Sequence, residues 1–138
     1  MSTYAEYPYR IFISYSQKDK ATAKSLADYL QSELKLHPVW DRAIPGGWSF
    51  SEVIKRQIAH AHLFVPILTT DSRNSIWVNQ EIGYAIGQNV PILPLSLGRL
   101  HLPEGMVAGI QAEVADEIDD LFPRLSRNKI EDIVARAQ

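Results

Sequence analysis

The chain of 138 residues contains no cysteine. Disulfide scaffolds, thiol nucleophiles and zinc–thiolate centres are therefore excluded. Charge of one sign is also lacking: 14 Lys and Arg face 16 Asp and Glu, for a net charge of −2. A nucleic-acid footprint or a polybasic membrane patch needs clustered cations, and here both signs are interspersed. No apolar run approaches the roughly 20 residues that span a bilayer. The opening MSTYAEYPYR lacks the basic-then-apolar pattern of a secretory signal. Low-complexity tracts, internal repeats and linkers are missing as well. These absences, with a length typical of one core, give the expectation of one cytoplasmic domain spanning residues 1–138.

What is present is alternation of strand-like and helix-like segments. RIFISY (residues 10–15) is a short β-branched and aromatic run and reads as a buried strand. Ala23, Leu26, Ala27, Leu30 and Leu34 then recur at helical spacing, predicting a helix over about 19–36. HPVWD (37–41) is a second strand candidate, ended by the Pro45-Gly46-Gly47 loop. Ser49 and Glu52 form a capping-box pattern for a helix with Phe50, Val53, Ile54 and Ile58 inward. HLFVPILT (62–69), VPILPLSL (90–97) and GIQAEVA (109–115) supply three more strands, and a C-terminal helix is expected over about 117–137. Pro66, Pro91 and Pro94 remove ladder donors, so bulges or ladder ends are expected at these positions.

Between the third and fourth strands lies SIWVNQEIGYAIG (75–87), a helix capped by Ser75 or Asn74. Val78, Ile82, Ala85 and Ile86 read as its core stripe, leaving Trp77, Glu81 and Tyr84 on another side. Gly83 and Gly87 read as small residues for close helix–sheet packing. Strands alternating with helices imply a parallel sheet covered on both faces. Ligands bind such sheets beyond the carboxyl ends of the strands. The segments SYS, DRAIPGGWS and TTDSRNSIW all leave strands at that end, and the Glu81 helix starts from the last of them.

The proline–glycine loop lacks the lysine of a Walker motif or a G-x-G-x-x-G, and reads as a mobile lid or assembly loop. His60 and His62 are close, but no third ligand stands at metal spacing, so structural roles and no metal are expected.

Taken in order, RIFISYSQKD, VWDRAIPGGWSFSEVIKRQIAHAHLFVPILTTDS, WVNQEIGYAI and VPILPL resemble a Toll/interleukin receptor (TIR) domain. The match runs from about residue 9 to 97, and GIQAEVA is similar to the family's last strand, extending the core match to 115. The resemblance implies an α/β, flavodoxin-like, doubly wound five-stranded parallel sheet in the order 2-1-3-4-5. It also implies one of two functions. Bacterial-type and plant TIR domains cleave NAD, releasing nicotinamide and ADP-ribose or a cyclic isomer, whereas many animal TIR domains are scaffolds that associate with one another. In the cleaving group the glutamate of W-x-x-x-E is catalytic, which places that role on Glu81. The resemblance implies substrate-binding roles for Ser14 and Tyr15. Asp41, Ile44 and Trp48 are further substrate-binding candidates, with loop anchoring for Asp41 and self-association for Trp48 as alternatives. Trp77 is a substrate contact or a wall packed beside Glu81.

One carboxylate is chemically adequate. Glycoside cleavage ordinarily uses two because an alkoxide leaving group must be protonated. Nicotinamide leaves a cationic pyridinium as a neutral base, so no general acid is needed. A lone carboxylate stabilises the positive charge that develops on the ribose. NAD is thus expected as substrate, with no resident cofactor. The expected partner is another copy of the domain, in an oligomer or filament, with no nucleic acid and no membrane. The chain ends at VARAQ without a termination signal, which raises the expectation of a regulatory domain or partner protein. Two alternatives stand beside this reading: a non-enzymatic TIR–TIR adaptor, and a nucleoside deoxyribosyltransferase-like enzyme with a similar fold and a catalytic glutamate. Immune defence, including defence against phage, and virulence are both compatible settings.

Overall fold

The computed structural model describes residues 9–40, 52–98 and 110–137. Strands β1 (Arg10–Ser14), β2 (His37–Val39), β3 (Leu63–Leu68), β4 (Leu95–Leu97) and β5 (Glu113–Ala115) form one five-stranded sheet. Every pairing is parallel, and the order is β2-β1-β3-β4-β5. This is the doubly wound, flavodoxin-like α/β arrangement expected from the sequence.

Alternation along the strands decides which helix covers which face. Ile11 and Ile13 of β1, Leu63, Val65 and Ile67 of β3, and Leu95 and Leu97 of β4 point to one side. There they meet Leu26 and Leu30 of helix α1 (Lys20–Ser32) and Leu121 of a 3-10 segment (Ile118–Arg124). Ile130 and Val134 of the C-terminal helix (Arg127–Arg136) complete that layer. Phe12 and Phe64 point to the other side and stack with centroids 5.5 Å apart. They are covered by Ile54 and Ile58 of helix α2 (Glu52–Ala59) and by helix α4 (Ile76–Gly87). A single helical turn, α3 (Thr70–Arg73), joins β3 to α4. Helix α5 (Arg127–Arg136) ends the described chain.

The prolines shape the sheet. Phe64 donates its N–H to the Pro91 carbonyl and accepts from Leu93 N–H, so the polar groups of Phe64 face β4. Two residues on, the nitrogen of Pro66 faces the same way with no proton to give. The register Ile67↔Leu95 sets Pro66 opposite Pro94, and the β3–β4 ladder is interrupted there. Hence β4 covers only Leu95–Leu97, where the sequence suggested a strand from Val90.

Four other expectations are corrected. Val53, expected inward, is exposed on α2, because the buried side of that helix is carried by Ile54 and Ile58. The C-terminal helix is two pieces, because Pro123 sits in a 3-10 segment and Ser126 caps a fresh helix by accepting from Lys129 N–H. Gly87 faces open space, so close packing is not the reason for that glycine. On α4, Glu81 lies in the buried stripe with Val78, Ile82 and Ala85, while Ile86 is exposed. The C-terminal pieces are tied back to α1. Tyr29 Oη donates to the carbonyls of Phe122 and Leu125, and Arg127 donates to those of Leu34 and Lys35.

Candidate active site

Glu81 is the buried polar residue that most needs an account. A carboxylate withdrawn from water is costly unless donors surround it. Ser14, the last residue of β1, supplies one: its Oγ donates to Glu81 Oε1 at 2.7 Å, and both residues are 0% exposed. Phe12 and Ser14 share the α4 face by alternation, so the strand register itself aims Ser14 at α4. The contact therefore sits at the carboxyl end of the sheet, where an open α/β sheet binds ligands. Trp77, one turn before Glu81 on α4, is half-buried against the same apolar layer.

Tyr15 takes the opposite path. It belongs to the layer under α1, and its hydroxyl donates to the Trp40 carbonyl at 2.8 Å. The structure thus brings Ser14 and Glu81 together and places Tyr15 on the other face, bracing the end of β2. Asp41, Ile44 and Trp48 lie outside the described residues, as do Ser49 and the Pro45-Gly46-Gly47 loop.

Ser75 caps α4, one of the two caps expected, and further contacts not foreseen hold this end. Thr69 leaves β3 and caps α3, accepting from Ser72 N–H at 3.1 Å while its own N–H donates to Ser72 Oγ at 2.8 Å. Ser75 N–H donates to the Ser72 carbonyl, and Ser75 Oγ accepts from Val78 N–H at 3.2 Å. Asn79 then reaches back to the carbonyls of Arg73 and Ser75. From the turn after β1, Asp19 Oδ2 accepts from Thr69 Oγ1 at 2.6 Å. Burial pushes the Asp19 carboxyl above its ordinary 3.8; the Thr69 hydrogen bond opposes this, and the Asp71 carboxylate adds to the rise. The signal that was available in the sequence is the T-x-x-S spacing of Thr69 and Ser72, inside a segment that reads as a polar loop.

At the other end of the sheet His62 is structural. Its Nδ1 accepts from Arg10 N–H at 3.0 Å and its ring meets Tyr9 edge-on. Burial, and then the Arg10 charge, hold it below the ordinary 6.5. Among the described residues no His, Asp and Glu group forms a metal cluster, and no helix is long and apolar enough to cross a membrane.

Comparison with known proteins agrees with the fold. The structure is similar to the TIR domain of the Toll-related receptor TRR-2 from the lower metazoan Hydra magnipapillata. That match has 18% identity and a TM-score of 0.69 over 91% of this chain and 98% of the other. It is also similar to the CMP N-glycosidase BcmB of Clostridium botulinum, at 14% identity, TM-score 0.63, and 83% and 95% coverage. The sugar isomerase domain of an RpiR transcription factor from Sphaerobacter thermophilus matches with 13% identity, TM-score 0.57, and 98% and 78% coverage. No curated protein sequence matches the chain. The family pattern described as TIR domain matches residues 11–125, and the chain belongs to the TIR domain family.

Proposed function

We propose that this TIR domain is an NAD glycohydrolase that cleaves the nicotinamide–ribose bond, with Glu81 as its catalytic residue. The observation that carries the reading is the buried Ser14–Glu81 hydrogen bond at the carboxyl end of β1. A bulk-exposed glutamate needs no such partner. A carboxylate kept out of water acts more strongly on a developing ribosyl cation, because little solvent screens it. Since nicotinamide departs as a neutral base, no second carboxylate is required. Ser14 acts through Glu81, and Trp77 walls its helix. Asp41, Ile44 and Trp48 complete the substrate site in this reading. NAD is consumed as substrate, and the product is ADP-ribose or a cyclic isomer.

Glu81 is fully buried in this conformation, so contact with NAD requires the crevice to open. Assembly is the means we favour. TIR domains commonly self-associate, and association that stabilises an open crevice would raise activity by population shift. Specific activity is expected to rise with protein concentration. The settings that suit the reading are immune defence and virulence signalling inside a cell.

The test is nicotinamide release from NAD by wild type and Glu81→Ala, dilute and clustered. Release that disappears with the substitution supports the reading. Release that survives it removes Glu81 from the mechanism, and none from clustered wild type removes the activity. The second reading is a non-enzymatic adaptor, favoured by the exposure of Val53 (62%) and Ile76 (76%) near the starts of α2 and α4. It predicts association unaffected by Glu81→Ala.

A further inference from the structure

Asp19 stands at the N-cap of α1, a position where aspartate ordinarily accepts from the first free N–H groups of its own helix. Here it makes no such bond. Its carboxylate turns away from α1 to Thr69, 50 residues later in the chain. Burial there disfavours the charge, so the contact is held in spite of a solvation cost. Lys18 beside it reaches toward Asp71 of α3 at 3.8 Å, linking the same two segments a second time.

What Asp19 holds is the head of a continuous run of hydrogen bonds. Thr69 caps α3 through Ser72, the Ser72 carbonyl receives Ser75 N–H, and Ser75 caps α4. Each step is short and directional, so the axial position of α4 is set from Thr69. Glu81 lies on α4 less than two turns beyond Ser75. The segment Ser14–Asp19 therefore grips the Glu81 arm twice: at Glu81 itself through Ser14, and at the root of the arm through Asp19.

We infer that Asp19 is a positioning residue for Glu81, holding Thr69 and hence α3 and α4 where the Glu81 carboxylate meets Ser14. The inference rests on the glycohydrolase reading for its kinetic consequence, while its geometric consequence stands apart from that reading. Misplacing a reacting carboxylate by about 1 Å lowers turnover by as much as a hundredfold. Substrate affinity, set by other contacts, changes little.

The experiment compares wild type, Asp19→Ala, Asp19→Asn, Thr69→Val and Ser14→Ala. Nicotinamide release is measured together with the ¹³Cδ resonance of Glu81 and the thermal midpoint. Asp19→Ala and Thr69→Val are expected to lower kcat about tenfold or more, with KM within about twofold. Asp19→Asn still offers an oxygen to the Thr69 hydroxyl and is expected to keep wild-type kcat. The Glu81 resonance is expected to move in Asp19→Ala and Thr69→Val in the same direction as in Ser14→Ala. A lower thermal midpoint with kcat and resonance unchanged would show a merely structural tie and overturn the inference. If Asp19→Ala does not fold, Asp19→Leu, which keeps the bulk without an acceptor and leaves the Thr69 cap of α3 in place, decides by the same readouts. If clustered wild type releases no nicotinamide, only the glycohydrolase reading fails, and the resonance decides positioning: movement supports it, none overturns it.

Discussion

Ser14 Oγ and Glu81 Oε1 meet at 2.7 Å across 67 residues of sequence, with neither side chain touching water. The bond joins the end of a central strand to the helix above it. Ser14→Ala removes that donor and leaves a buried carboxylate under-satisfied. The expected cost is about 1–3 kcal/mol, read from urea unfolding with an unchanged m-value. Full stability in Ser14→Ala would mean that the hydroxyl does not support the carboxylate.

The Arg10–His62 contact predicts how acid weakens the protein. His62 is held below its ordinary 6.5 by burial and by Arg10, so below pH 6.5 the unfolded chain binds the proton first. Its contribution is fully present above 6.5 and is lost as pH falls from there toward the folded value. His62→Gln keeps an acceptor for Arg10 N–H without titrating. The urea midpoint of the variant should fall less than that of wild type over this window.

Asp19 has the opposite sign. Its folded value lies above 3.8, so between 3.8 and that value the native state holds the proton more tightly. Stability from this group is present below 3.8 and is lost as pH rises through the folded value. Asp19→Asn should therefore unfold at higher urea than wild type near neutrality, with the difference shrinking toward acid. A variant weaker than wild type at neutral pH would contradict the sign.

The Phe12–Phe64 stack is the centre of the α4-side core, and both rings are 0% exposed. Phe12→Ala opens a cavity between β1 and β3 directly below the Ser14–Glu81 contact. A loss of about 3–5 kcal/mol is expected by chemical denaturation.

Much of this architecture is legible in the sequence because periodicity reports local burial. The apolar runs RIFIS and LFVPIL, and the leucine stripe of α1, suffice for elements, and the family resemblance supplies their order. What periodicity misreads is the exchange of Glu81 and Ile86 on α4. A rule that sends apolar residues inward has no means of burying a glutamate whose donor lies on another strand. The cap of α3 leaves only its T-x-x-S spacing in the sequence, since one helical turn contains no period. Asp19 stands where the helix stripe begins, and only the folded chain shows it turned to Thr69. Contacts between loops that share no register leave no trace in a single sequence.

The facing prolines of β3 and β4 carry a consequence for how the domain loosens. β1 and β3 are laddered over Ile11–Ser14, whereas β3 and β4 are laddered only at Ile67–Leu68 beyond an isolated bridge at Phe64. The sheet is thus a firm block of β2, β1 and β3 joined by a thin seam to β4 and β5. Such seams divide a protein into units that open separately. Amide exchange should show β4 and β5 unprotected earlier than β1 and β3, while the strand that bears Ser14 stays closed.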